Sequence, residues 1–173
     1  TPGKAIDIRR VPTTLQFSEE IRDIKEIYRI FTSDSIRQAS STNKEQEINS
    51  QLTRYRTRDS TPNQITFTFA EFNENHFPNE KEIEFLTDIS YPHSDITPLP
   101  LVPTICKTVT AETIPAFRNY LKTAIKTIED LNHQPIMGII PMAMPRDFLP
   151  DILEVYENEG INAFCVDFQG GTV

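Results

Sequence analysis

Four charged residues stand where an apolar run gives out. Glu71 follows ITFTFA, Asp88 follows EIEFLT, Lys107 follows LVPTIC and Asp167 follows NAFCV. In parallel α/β sheets, sites form at the C-terminal ends of strands, so one lysine and three carboxylates there could share a rim. Such a set suits general acid–base work, a lysine Schiff base, or a divalent cation held by Glu71, Asp88 and Asp167. A lysine leaving a buried strand can lose hydration, which frees its amine as a nucleophile; equally, it can snorkel to solvent or pair with an acid. Polar residues also end strands simply because the chain is leaving the core. His93 and Asp95 lie in the loop after Asp88, and His93 is a ligand-binding candidate. Gln169, Gly170 and Gly171 follow Asp167, and two glycines after a strand let backbone N–H groups approach an anion. A plain turn fits the same residues. The reading requires Glu71, Asp88, Lys107 and Asp167 to converge on one pocket. No cofactor is assigned, and no metal.

Other chemistry is weakly marked. The run GGTV is neither GxGxxG nor a Walker A loop, and no HExxH or GxSxG is present. Cys106 and Cys165 lie in apolar runs without zinc-ligand spacing and read as two reduced core thiols, with a disulfide open only to neighbouring strands. His76, His93 and His133 are scattered. Met137, Met142 and Met144 suit a core or an adaptable pocket wall. In TRYRTR, an extended chain would set Arg54, Arg56 and Arg58 on one face to meet phosphates, with Tyr55 opposite. A solvated face or salt bridges to acidic residues suits them better.

The elements that must position these residues follow from periodicity. Residues 4–11 predict a short strand. Ser18 caps a predicted helix over 19–31, with Ile21, Ile24, Ile27, Tyr28 and Phe31 at three- and four-residue spacing. Residues 32–63 are polar, and Ile36, Ile48, Leu52 and Tyr55 could line a weak helix over 44–56; otherwise this is a mobile linker. Residues 65–72 alternate and predict a strand, as do residues 81–89 around Ile83 and Phe85. Beyond them the pattern is regular. Leu101–Cys106 predicts a strand, Thr110 with Thr113 caps a helix running to Leu131, and Pro135 opens a strand. Asp147 caps a helix that Gly160 stops, and Ile161–Phe168 predicts a strand. Residues 100–168 thus read β-α-β-α-β.

The expected fold is α/β, with a parallel βαβαβ unit in the C-terminal part. It would be a partial (β/α)8-type barrel, or alternatively an open doubly wound sheet. The organisation is expected to divide at 1–39, 40–64 and 65–173. Pro 13 against Gly 5 inverts the average usage of roughly 9 and 12 in a chain of 173 residues. Nine prolines fall within 92–150, at the expected junctions of strands and helices. Charge is uneven: residues 1–64 carry 11 basic and 9 acidic side chains, residues 65–173 carry 6 and 16. An acidic C-terminal half disfavours nucleic acid. No apolar run approaches the roughly 18 residues of a membrane span, and a cytoplasmic location is expected.

Residues 100–168 resemble, in architecture, the superfamily of (β/α)8 enzymes, base-exchanging tRNA transglycosylases among them. The run Val166-Asp167-Phe168-Gln169-Gly170-Gly171 is similar in composition, though not in order, to the Asp-Ser-Gly-Gly-Phe-Gln type run of those transglycosylases. The resemblance implies a barrel fragment that binds nucleic acid through Arg54–Arg58, and carries no catalytic role to any residue. The function expected first is part of a barrel-type enzyme acting on a small polar or phosphorylated substrate, completed by more chain or by another copy. The alternative is a non-catalytic interaction module whose segment 40–63 binds a partner.

Overall fold

The computed structural model describes residues 23–42, 44–58 and 64–168. The predicted strand at 4–11, the Ser18 cap and Gln169, Gly170 and Gly171 lie outside them. Strand β1 is Asp23–Phe31, followed by helices α1, Ser33–Ser41, and α2, Lys44–Thr57. Strand β2 is Gln64–Phe72 and helix α3 is Glu80–Ser90, leading through a 3-10 turn to the short strand β3, Thr97–Pro98. Helices α4, Pro103–Lys107, and α5, Ile114–Leu131, precede strand β4, Ile136–Pro141; helix α6, Leu149–Asn158, precedes strand β5, Ala163–Asp167.

All pairings are parallel. β1 runs beside β2 from Asp23 opposite Gln64 to Phe31 opposite Phe72. β3 pairs with β4, and β4 with β5. A single bridge, Glu71 to Leu101, joins the two sheets into the consecutive order β1 to β5. Among the described strands the order never reverses, whereas a doubly wound sheet requires a reversal. Neither sheet closes on itself, so no barrel is present among the described residues. Right-handed crossovers, the rule for consecutive parallel strands, set the long helices side by side. Accordingly α3 packs on α5 and α5 on α6, while Phe31 of β1 meets Phe85 of α3 edge-on, with ring centroids 5.5 Å apart.

Three elements differ in kind from the sequence expectation. Residues 23–31 form a strand, not the end of a helix. Ile27 and Phe31 face the helices and are buried, whereas Ile24, Tyr28 and Ile30 face the other way. Pairing along nine residues with β2 overrides an apolar spacing that fits both periods, and three isoleucines favour the extended form. Residues 80–90 form a helix, not a strand. Asn79 accepts from the Glu82 backbone N–H at 3.0 Å while the Glu82 carboxylate reaches back to Asn79, a reciprocal cap that starts α3. Ile83, Leu86 and Ile89 then share its buried face.

The third is Leu101–Cys106, and the remaining differences are of extent. Leu101–Cys106 is not a strand: Pro98 and Pro100 cannot donate to a ladder, and Pro103 opens α4 two residues after the bridge. Thr113, not Thr110, sits at the N-cap of α5, its hydroxyl accepting from the Thr110 N–H at 2.8 Å. Asp147 lies in a 3-10 turn, and Phe148 takes the cap position of α6. Gly160 does end that helix, at φ 71°. The stretch read as weak helix or linker holds α2, anchored by Leu52, which is fully buried.

The seam between β3 and β4 is finished by a side chain. The Leu99 N–H donates to Met137 at 3.0 Å, but the Leu101 N–H turns away and donates to Ala70 of β2 at 2.9 Å. This leaves Ile139 without a strand on that side. The Tyr156 hydroxyl of α6 takes the place, accepting from the Ile139 N–H at 3.1 Å and donating to its carbonyl at 2.7 Å. Gly138 lies under the same ring, 3.1 Å from where a Cβ would stand. Tyr156→Phe therefore strands two buried backbone groups. It should cost about 1–3 kcal/mol in urea unfolding and speed amide exchange at Ile139; wild-type stability would contradict the role.

Candidate functional site

The sheet curls enough for its two edge strands to line one cleft. Tyr28 of β1, Glu71 at the end of β2, Asn73, Pro103, Thr104 and Lys107 of α4, and Asp167 at the end of β5 surround about 440 Å³. Register explains the convergence. Tyr28 pairs with Phe69 and Ile30 with Glu71, so both rows point to the face without helices. On β5, Phe164 meets the Tyr156 ring on the helix side, so Cys165 and Asp167 point to the open face. Proline at the start of α4 sets its direction, and spacings of three and four residues put Pro103, Thr104 and Lys107 on one side of it.

Glu71, Lys107 and Asp167 are thus brought together, three of the four groups that the strand-end pattern requires to converge. Lys107 is exposed at the last turn of α4 and does not directly leave a buried strand. The dehydration on which a Schiff-base role depends is not provided there. Asp88 lies elsewhere, on the exposed side of α3, because its segment is helical. Its carboxyl is held above its ordinary value by partial burial and by Glu45 and Glu84. His93 sits outside the cleft, beside the middle of β2, where its carbonyl accepts from the Thr68 hydroxyl at 2.8 Å and its Nε2 lies 3.1 Å from the Asn49 Oδ1. Burial, then Arg56, pushes the His93 imidazole below its ordinary value. No cluster of three His, Cys, Asp or Glu side chains that could hold a metal occurs among the described residues. Tyr28, Asn73 and Thr104 join the cleft without having been singled out in the sequence; Tyr28 was hidden by the helical reading of its strand, Thr104 by the strand reading of its helix.

The electrostatics separate the two carboxylates. Partial burial raises the Glu71 carboxyl above its ordinary value, the neighbouring Asp167 charge raises it further, and Lys107 opposes both. Glu71 is therefore the group that keeps a proton to higher pH than a solvated glutamate. Thr104 Oγ1 donates to the Asn73 Oδ1 at 3.5 Å, and the Asn73 N–H donates to Phe31 at 2.8 Å, which fixes the loop after β2. Both cysteines are free thiols. Burial and Asp167 push Cys106 up to about 12, and burial, Glu26 and Asp167 raise Cys165, so neither is an activated nucleophile.

The arginine stretch is helical and partly committed. Arg56 donates to the Pro92 carbonyl at 2.6 Å and pairs with Asp95 at 3.2 Å, and Asp95 also accepts from the Thr66 N–H at 2.7 Å. Lys25 donates to the carbonyls of Arg56 and Arg58 at the end of α2. The extended face of three arginines therefore does not form. No helix among the described residues is long and apolar enough to cross a membrane.

No known protein family, curated protein or solved structure matches the chain.

The sign of the Glu71 shift fixes a pH dependence. A raised folded-state value means the folded chain holds the proton more tightly than the unfolded chain, so ionised Glu71 opposes folding. Glu71→Gln should raise Tm at neutral pH, by at most about 2–4 °C in a chain of this size. The gain should shrink as pH falls through the raised value and vanish below the ordinary 4.5. Thermal melts across pH check this; a Tm lowered at neutral pH would contradict it.

Proposed function

We propose that the cleft binds a small polar molecule carrying an anionic group, a phosphate or a carboxylate, and performs acid–base chemistry on it. The Lys107 ammonium and the Thr104 hydroxyl receive the anionic group. Glu71 donates or takes the proton, and Asp167 stands by as the second carboxylate, whose charge keeps that proton on Glu71. The observation that supports this most is the meeting of Glu71, Lys107 and Asp167, from three separate segments, at the C-terminal ends of parallel strands.

On this reading the chain contributes part of a (β/α)8-type barrel enzyme. Consecutive strand order with helices on one face is the arrangement of such barrels. The edges favour further units, from more chain or a second copy: Phe164, Val166 and Phe168 are about half exposed on one edge, and Ile24, Tyr28 and Ile30 on the other. The same apolar edges are what favour the second reading, a non-catalytic interaction module. In that case the partner meets the sheet edges instead of segment 40–63.

Titration of the labelled protein with inorganic phosphate and with simple sugar phosphates, followed by amide NMR, separates the readings. Shifts should gather at Asn73, Thr104 and Lys107, and Lys107→Ala should weaken binding roughly tenfold or more, the worth of a charge-assisted hydrogen bond. Shifts gathered at Arg54–Arg58, or binding indifferent to Lys107, would overturn the proposal.

A further inference from the structure

Behind the cleft floor lies a second, much smaller space. Leu101, Cys106, Tyr120, Ile139 and Tyr156 line about 20 Å³, and Asp167 lines both this space and the cleft. It sits where the ladder between β3 and β4 stops, beside the Tyr156 hydroxyl that completes Ile139. Tyr120 reaches it from α5. Its ring is clamped between Phe77, stacked at 4.8 Å, and Phe117, edge-on at 6.1 Å, so its hydroxyl has no freedom to swing out to solvent. That hydroxyl is buried and has no protein hydrogen-bond partner among the described residues.

We infer that this space is a binding site for one ordered water, held by the Tyr120 and Tyr156 hydroxyls. The volume suffices, since one water needs about 10–15 Å³ of such space. The partners suffice as well. Tyr156 accepts from one backbone group and donates to another, which leaves one lone pair for a water proton. Tyr120 brings a free donor and two lone pairs, and the Cys106 thiol is a weak third partner. Their mutual proximity shows independently in the raised Tyr120 phenol, for which burial is the main cause and Tyr156 and Cys106 are the next two. The water would close the gap left where β3 changes partner and so brace the strand ends that carry Leu101 and Asp167. Tyr120 is a positioning residue in this account, and the inference stands whether or not the cleft is catalytic.

The sign of one substitution tests it. With the water in place, Tyr120→Phe removes a satisfied hydrogen bond and should lower Tm by about 2–4 °C. A hydroxyl without a partner would be relieved by the same change, so a Tm unchanged or raised overturns the site. A crystal structure of the intact chain gives the second measurement. Density for one water within hydrogen-bond range of both tyrosine hydroxyls is expected, and its absence overturns the site even if Tyr120→Phe fails to fold.

Discussion

Strand β2 is buried along almost its whole length, so each of its backbone groups must find a partner inside the protein. On one side a nine-residue parallel register with β1 supplies them. On the other side no regular strand does. The Asp95 carboxylate accepts from the Thr66 N–H while the Asp95 N–H donates to the Thr66 carbonyl, the Ser94 hydroxyl accepts from the Thr68 N–H, and backbone pairing resumes at Ala70 and Phe72, with Leu101. Prolines 98 and 100 explain the patchwork, since neither can donate. The patchwork in turn sets the site: Leu101 is held beside Glu71, α4 must start immediately after it, and Thr104 and Lys107 arrive over the end of β2.

The consequence for chemistry is a cleft in which one carboxyl is treated differently from the other. Glu71 is withdrawn from water and faces a like charge, and it is these two effects that separate it from a surface glutamate. The cation that opposes them is exposed, so it is placed to meet a ligand as well as to screen the pair. Asp95 and Arg56 show the contrasting use of charge. Their ion pair, at the far end of the same strand, ties α2 to the backbone of β2 and holds structure together.

How much of this is legible in the sequence depends on how each segment carries its signal. The alternation of residues 65–72 and the long helical run to Leu131 each fit one period, and both elements are present. Residues 23–31 and 80–90 fit two periods. For the first, long-range pairing with β2 decides the outcome; for the second, the Asn79–Glu82 cap decides it, and that signal was there to be read in the sequence. Because residues 80–90 are helical, Asp88 falls outside the cleft. The strand-end rule applies to Glu71 and Asp167 because each lies at the end of a strand whose pattern fits one period. Lys107 reaches the cleft by another route, a proline-started helix, and the positional rule met it by proximity to Leu101. The proline excess marks real boundaries: Pro92, Pro103, Pro115 and Pro150 open helical segments, and Pro98 and Pro100 interrupt β3.

The central claim is that Glu71 and Asp167, 96 positions apart in the chain, face each other across one cleft with Lys107 beside them. Carboxyl-carbon NMR titration of Glu71 tests it most directly. The midpoint should lie above the ordinary glutamate value, fall in Asp167→Asn, rise further in Lys107→Ala, and stay where it is in Asp88→Asn. A Glu71 midpoint that ignores Asp167 and Lys107 would contradict the account.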